Sequence, residues 1–264
     1  MTLAAHAAIT PAIWQDIQAR LDAVETSTGA RLLMAVESGS RAWGFPSPDS
    51  DYDIRFIYVR PRDWYLDLRR GRDVIEYPIV DEIDLNGWDI RKALGLLLKS
   101  NAVVSEWMES SIRYRADDPV VAKLRILADD LLDPRALAHH YANLGRRAAD
   151  RWLDGEGEVA VKKYFYALRP ALAIRALRHT PGARPPMNLQ ALIAVGDLPE
   201  AIVEQIDMLV AAKARTNERA NGTRLPDLDA LISAELASVG DLPAATPGDR
   251  VERANALFLE LVNT

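Results

Sequence analysis

Two aspartates, Asp51 and Asp53, stand at the start of a short apolar stretch and carry the clearest chemical signal in the sequence. On an extended segment, side chains two residues apart point to the same face. Two carboxylates held that close repel each other unless a cation lies between them, and Mg²⁺ prefers oxygen ligands, often carboxylates together with substrate phosphates. The pair therefore predicts a two-metal Mg²⁺ site, with Mn²⁺ as the alternative ion, that receives a nucleoside triphosphate.

A glycine and a serine, Gly39 and Ser40, end the preceding apolar run, and a polar loop separates them from the aspartates. Glycine allows the backbone to approach a phosphate closely, and a short helix starting at Ser40 would direct N–H groups and the hydroxyl at phosphate oxygens. Ser40 is equally suited to capping that helix. Arg41 also has two interpretations, an ion pair with a nearby aspartate or a contact with substrate. The upstream Gly39-Ser40 pair favours metal binding by Asp51 and Asp53 over the alternative that both are turn residues.

A third carboxylate is expected on a neighbouring strand, and two aspartates fit. Asp84 lies inside a predicted strand, where its position would be fixed. Asp89 stands where a helix is predicted to begin, so helix capping already accounts for it. We therefore favour Asp84 as the third metal ligand, which would also help to take the proton from the attacking hydroxyl.

The elements that would position these residues lie in the first part of the chain. Thr10 and Pro11 are typical of a helix start, and Gly29 of its end. Apolar and alternating patterns predict strands at 31–37, 53–59, 73–77 and 82–88, with a turn at 78–81. Asp89 and Asn101 would cap the next two helices.

Beyond about residue 117 strand signals nearly vanish, and apolar residues recur at helical spacing. A proline-rich loop at 180–188 interrupts the helices. The sequence thus predicts an α+β protein, with a small mixed-sheet module followed by an all-helical module. The predicted boundaries are 1–115 for the α/β core and 116–264 for the helical domain.

The composition excludes several kinds of functional site and disfavours others. The 264 residues include no cysteine, which excludes disulfides, zinc–thiolate sites and cysteine nucleophiles. No apolar run is long enough to cross a bilayer and no secretory signal is recognised, so we expect a cytoplasmic protein without a membrane partner. The net charge of −6 argues that any nucleic-acid contact is local or that the substrate is small.

The motif Gly39-Ser40, a polar loop and Asp51-x-Asp53 resembles the hG[GS]…Dh[DE]h signature of the polymerase-β nucleotidyltransferases. A longer string resembles a narrower group, the predicted nucleotidyltransferases linked to an RNA-repair pathway: Gly39-Ser40-Arg41-Ala42-Trp43-Gly44, Ser47 and Ser50-Asp51-Tyr52-Asp53. Further matching segments are Asp84…Trp88-Asp89-Ile90-Arg91-Lys92, Lys99-Ser100-Asn101, Glu106-Trp107 and Lys162-Lys163-Tyr164-Phe165-Tyr166-Ala167-Leu168-Arg169-Pro170. The resemblance covers the chain from about residue 37 to residue 175.

The resemblance implies nucleotide contacts at Gly39, Ser40, Arg41 and Ser50 in the loop, and at Lys163 and Arg169 on a later helix. Helical spacing places Lys163, Tyr166 and Arg169 near one another, and a solvated face is the alternative interpretation of that pattern.

The expected activity is transfer of a nucleoside monophosphate from an NTP, with ATP the first candidate, to an acceptor hydroxyl. The resemblance implies that the acceptor is an RNA end. A small molecule, a protein hydroxyl, or a nucleotide-binding module without turnover are the alternatives.

Overall fold

The computed structural model describes residues 9–150, 157–215, 221–245 and 248–264. Its strands are β1 (Arg31–Ser38), β2 (Tyr52–Val59), β3 (Val74–Glu76), β4 (Ile83–Asp89), β5 (Arg113–Ala116), β6 (Val159–Ala160) and β7 (Asn221–Gly222). Its helices are α1 (Pro11–Thr28), α2 (Gly39–Trp43), α3 (Arg62–Leu66), α4 (Ile90–Leu97), α5 (Ala102–Glu109), α6 (Asp118–Asp130), α7 (Pro134–Ala149), α8 (Val161–His179), α9 (Leu189–Val195), α10 (Glu200–Arg215), α11 (Pro226–Ala237) and α12 (Arg250–Val262). The mixture of sheet and helix confirms the predicted α+β class at this level.

A five-stranded sheet in the order β3-β4-β2-β1-β5 organises the first part of the chain. β2 and β4 run parallel to each other, and every other pair in the sheet is antiparallel. The four strands expected from the sequence pattern are present, within two residues of their predicted bounds. β5 was not predicted, because a strand of four residues is too short for its alternating pattern to stand out.

Local capping signals fix several helix ends where the sequence predicts them. The Thr10 hydroxyl accepts from the Ile13 N–H at 3.3 Å, and Gly29 ends α1 with φ 65°. Asp89 and Asn101 cap α4 and α5 by accepting backbone N–H groups of the first turn. These contacts satisfy donors that a helix start leaves unpaired.

Buried side chains form three clusters, two of which lie against the sheet. α1 covers one face, where Leu21 packs among residues such as Phe56 and Leu85. α4, α5, α6 and α12 pack against the other face, around Val36 and Ile57. The third cluster belongs to α7 through α11 and includes Phe45, Leu137 and Phe165, among others.

The helices beyond residue 115 divide between two of these clusters. Leu124 of α6 and Leu257 of α12 pack with the sheet-side residues, whereas α7 through α11 form the third cluster. The sheet ends with β5 at Ala116, and both α6 and α12 pack against the sheet, whereas α7 through α11 form a separate cluster. Within the described ranges, no helix is long and apolar enough to cross a membrane.

Candidate active site

Three strands bring the predicted acids to one edge of the sheet. β1 ends where β2 begins, with Ser38 paired to Asp53. β4 runs parallel to β2, and its register places Asp84 directly beside Asp53. Because side chains of neighbouring register partners point to the same face of a sheet, the carboxylates of Asp53 and Asp84 share one face.

Arg55 joins these two carboxylates. It lies two residues after Asp53 on the same strand face, and its Nη2 is 2.9 Å from Asp53 Oδ1 and 2.6 Å from Asp84 Oδ2. Its Nη1 also donates to the backbone carbonyl of Asp84 at 2.8 Å. The guanidinium supplies the positive charge that two adjacent carboxylates require, and it engages one oxygen of each.

The pKa of Asp53 depends on its burial and on the charged side chains around it. Burial raises the pKa of Asp53, because the charged carboxylate is less favourable away from water. Arg55 lowers that pKa, Asp84 and Asp51 raise it, and Lys162 lowers it. Three carboxylates therefore act on one another at this edge, a setting in which binding of a divalent cation relieves repulsion.

The donor types fit Mg²⁺, since Asp51, Asp53 and Asp84 offer only carboxylate oxygens. The three carboxylates are not arranged around a common point. Asp51 is exposed in the loop before β2, and Arg55 pairs with Asp53 and Asp84. Within the part of the chain that the structure describes, no three His, Cys, Asp or Glu side chains are arranged as a metal site. Ligation by all three acids thus requires local rearrangement around Arg55.

Asp89, the competing candidate for the third acid, lies at the other end of β4 from Asp84. Its carboxylate accepts from the Arg91 N–H at 2.8 Å and from the Tyr65 hydroxyl at 2.7 Å, and its exposure is 1%. Burial raises its pKa, against these two hydrogen bonds. Its helix-capping role, together with its distance from Asp53 along the strand, makes Asp84 the better-placed third acid.

Gly39 is held against Asp53. Its φ is +65°, a left-handed conformation that favours glycine. A Cβ added to Gly39 would lie 2.8 Å from Asp53 Cγ and closer still to Oδ2. The missing side chain therefore makes room for the Asp53 carboxylate beside the turn.

Arg41 holds the loop that contains Asp51. Its Nη2 donates to the Ser50 carbonyl at 2.7 Å, its Nε donates to the Asp51 carbonyl at 3.2 Å, and its guanidinium lies 4.0 Å from the Tyr52 ring centroid. Arg41 is also buried. Of its two predicted roles the contacts favour the structural one, although through carbonyl oxygens and an aromatic ring instead of an aspartate.

Three serines form a buried hydroxyl cluster behind the turn. The Ser40 hydroxyl donates to Ser50 Oγ at 3.0 Å, and the Ser47 N–H donates to the same oxygen at 2.9 Å. The Ser47 and Ser50 hydroxyls are 2.9 Å apart. α2 begins at Gly39 with Ser38 before it, so Ser40 lies inside the first turn and is not its cap.

Glu37 is a buried acid behind Asp53 that sequence reasoning did not single out. Its Oε1 accepts from the Asp53 N–H at 2.9 Å, and its Oε2 accepts from the Tyr114 hydroxyl at 2.6 Å. Burial raises the pKa of Glu37 to about 7, against these two hydrogen bonds. Glu37 thus anchors the start of β2 at the acid cluster, and its place in an otherwise apolar run is the signal that could have identified it.

The two predicted nucleotide contacts on α8, Lys163 and Arg169, lie in different environments. Lys163 is exposed, whereas the charge of its neighbour Lys162 reaches Asp53 and lowers its pKa. Arg169 is buried in a two-bond ion pair with Glu106, at 2.7 and 3.1 Å, and lies 4.2 Å from the Trp43 ring centroid. The contacts engage Arg169 inside the protein, and the effect on the pKa of Asp53 favours Lys162 over Lys163 as the lysine of α8 that acts on the acids.

The chain is similar to known proteins over nearly its whole length. The model of the RlaP family, described as "RNA repair pathway DNA polymerase beta family", matches residues 13–260. An uncharacterized protein of Bacillus subtilis (strain 168), YcgL, is 38% identical over 250 residues, which cover 95% of each chain. The matched segment includes the whole acid cluster, the serine cluster and α8. The chain therefore belongs to the RNA repair pathway DNA polymerase beta family.

Proposed function

We propose that this protein is a Mg²⁺-dependent nucleotidyltransferase, with Mn²⁺ as an alternative ion, that moves a nucleoside monophosphate from an NTP to an acceptor hydroxyl. The observation that carries the proposal is the register of β2 and β4. It pairs Asp53 with Asp84 at the edge of the sheet where Gly39 follows β1. The family description supports the same chemistry.

In the proposed reaction, the acceptor oxygen forms a bond to the α-phosphorus while the bond from that phosphorus to the bridging oxygen of the β-phosphate breaks. Pyrophosphate leaves, and Asp84 is the proposed acceptor of the hydroxyl proton. Bound divalent ions would neutralise the phosphates and activate the attacking oxygen. Asp51, Asp53 and Asp84 are the proposed ligands.

The remaining proposed roles follow from position. Gly39 and Ser40 would form the phosphate-binding turn, with Ser50 buried behind it, and Arg41 would hold that turn by its contacts with the loop carbonyls. Lys162 replaces Lys163 as the proposed partner of the triphosphate, since its charge already acts on Asp53. Arg169 would support the turn from behind through Trp43.

The direct test uses ATP labelled on the α-phosphate, with Mg²⁺, and measures both labelled product and pyrophosphate. Asp53→Asn should abolish transfer, while Asp16→Asn, which neutralises an acid paired with Arg20 on α1, should not. Wild-type protein that neither binds nor consumes any of the four NTPs with Mg²⁺ or Mn²⁺ would sink the proposal.

An RNA end is the proposed acceptor, because the family description names RNA repair. The net charge of −6 limits the expected RNA footprint to a few nucleotides near the site. Short RNAs with free 3′-hydroxyls should therefore be labelled as well as long ones. Labelling of an aminoglycoside or a protein instead of RNA would redirect the acceptor assignment and leave the transfer chemistry intact.

A second candidate, a nucleotide-binding module without turnover, is favoured by the Arg55 bridge, which engages Asp53 and Asp84 together. It predicts Mg²⁺-dependent NTP binding without pyrophosphate release. The labelling experiment distinguishes the two candidates, because pyrophosphate is formed only if the nucleotide is transferred or hydrolysed.

A further inference from the structure

A buried lysine from α10 reaches the serine cluster behind the proposed phosphate-binding turn. Lys213 is 2% exposed, and its Nζ donates to Ser47 Oγ at 3.4 Å. The same ammonium lies 5.8 Å from the Phe45 ring centroid. Lysine is rarely buried to this degree, because its charge loses favourable hydration. Such burial indicates a specific role for the charge at this position.

The contacts of Ser47 connect that charge to the turn. The Ser47 hydroxyl is 2.9 Å from the Ser50 hydroxyl, and Ser50 Oγ accepts both the Ser47 N–H and the Ser40 hydroxyl. An ammonium group can only donate, so it fixes Ser47 Oγ as an acceptor. The arrangement runs from Lys213 through two serines to Ser40, which follows Gly39 in the turn.

Other contacts from the helical part hold the same short helix. Gln190 Nε2 donates to the Gly44 carbonyl at 3.0 Å, and the Phe165 ring stacks on Phe45 with centroids 4.3 Å apart. A Cβ at Gly44 would lie 2.6 Å from Asn188 Nδ2, so glycine is needed for this close approach. The backbone and rings around the turn are therefore already fixed by packing, and the hydroxyl rotors are the groups left for Lys213 to orient.

We propose that Lys213 is a positioning residue, which acts through Ser47 and Ser50 to fix the hydroxyl network behind the turn, Ser40 included, in one arrangement before the triphosphate binds. The inference rests on the proposed nucleotidyltransferase function and names the group that prepares its phosphate-binding turn. Removing the ammonium leaves the serine hydroxyls able to adopt other hydrogen-bonding patterns, so part of the binding energy must then be used to order them.

The test is a double-mutant cycle on the full chain with Lys213→Met, Ser47→Ala and the double variant. Mg²⁺–ATP affinity is measured by calorimetry, and KM and kcat are measured separately. Each single variant should raise Kd and KM about 10-fold, the effect of one lost interaction, with kcat little changed. The double variant should be no weaker than the weaker single variant, because both changes break the same path.

Glu235→Gln is the matched control, since Glu235 is a 2% exposed charge of the helical part that pairs with Arg175 and Arg178. It should lower the melting temperature without changing Kd. Should Lys213→Met fail to fold, Ser47→Ala alone still decides, because unchanged affinity in that variant overturns the inference. Multiplied effects in the double variant overturn it as well. A wild-type protein that binds no nucleotide overturns the proposed function too, whereas normal wild-type binding with an unaffected Lys213→Met overturns the positioning role alone.

Discussion

The backbone of Gly39 lies against the carboxylate of Asp53, so closely that a Cβ at Gly39 would come within 2.8 Å of Asp53 Cγ. Gly39→Ala should displace that carboxylate and lower nucleotidyl transfer by about 100-fold or more, since misplacing a catalytic group by an ångström has effects of this size. The variant should also lose about 1–2 kcal/mol of stability from the left-handed backbone, plus the cost of the clash. Transfer kinetics and urea unfolding measure the two effects.

Gly29 provides the matched control, because its φ is also 65° and a Cβ there meets nothing within 4 Å. Gly29→Ala should show only the backbone cost, with transfer unchanged. Equal activity losses in the two variants would mean that backbone strain, and not contact with Asp53, accounts for the effect.

Arg55→Met removes the cation between Asp53 and Asp84. In EDTA the variant should be less stable than wild type by about 1–3 kcal/mol, because two half-buried carboxylates then face each other unpaired. Mg²⁺ should restore more stability to the variant than to wild type, since an ion that binds only the folded protein stabilises it in proportion to its affinity. Thermal unfolding with and without Mg²⁺ measures this difference.

Arg20 offers a control with the same design away from the site, as its Nη2 joins Asp16 and Asp81 at 2.9 and 3.0 Å. Arg20→Met should lose stability without gaining any added response to Mg²⁺. If both variants respond to Mg²⁺ alike, the ion acts by general screening and the claim for the acid cluster fails.

Much of the fold could be read from local signals. Thr10, Gly29 and Asn101 mark helix ends through contacts within a few residues, so their effect does not depend on tertiary structure. Alternating apolar residues likewise predicted β2. The pairing order of the strands could not be read, because nothing local to β2 or β4 encodes that the two run parallel and in what register.

The residues of the candidate site that the sequence predicted are likewise those with local signals. Asp51, Asp53 and Gly39 were found because their spacing lies within one loop and one strand. Arg55 was missed, although its position two residues after Asp53 on a strand already placed it on the same face. The preference for Lys163 over Lys162 depended on the rotation of α8 relative to the sheet, which only tertiary packing determines.

The choice of third acid is tested by a pair of substitutions on β4. Asp84→Ala should lower transfer by about 100-fold or more with little loss of fold, since it removes a proposed ligand at a half-exposed position. Asp89→Ala should keep most of the activity per folded molecule but lose about 1–3 kcal/mol of stability, because the cap of α4 and the partner of Tyr65 are removed. Active-site titration and urea unfolding separate the two, and the reverse pattern would assign the metal to Asp89.

The neighbouring lysines of α8 form a second internal comparison. Lys162→Met should weaken Mg²⁺–ATP binding about 10-fold, because its charge acts on Asp53 and so lies near the proposed triphosphate. Lys163→Met changes the charge by the same amount at an exposed position and should leave affinity within about twofold. Equal losses in both variants would point to the overall charge of the helix instead of a contact by Lys162. Calorimetric titration with the nucleotide provides the measurement.

Glu37 should make stability depend on pH. Burial raises its pKa from the ordinary 4.5 to about 7, so between these values the folded protein keeps a proton that the unfolded chain has released. Its contribution to stability is full below about pH 4.5 and is lost as the pH rises to about 7, by roughly 3 kcal/mol. Urea unfolding of wild type and Glu37→Gln over this range should show a decline in wild type that the variant lacks.

Tyr114→Phe should raise the pKa of Glu37 further, whereas Glu37→Gln removes the titrating group. The Tyr114 hydroxyl donates to Glu37 and lowers its pKa, so its removal should raise that pKa and move the loss of stability to higher pH. Because Tyr114 acts through Glu37, the double variant Glu37→Gln, Tyr114→Phe should show the same pH dependence as Glu37→Gln alone. A slope that persists in Glu37→Gln would have to come from other groups, such as Asp53 or Asp89, whose pKa values burial also raises.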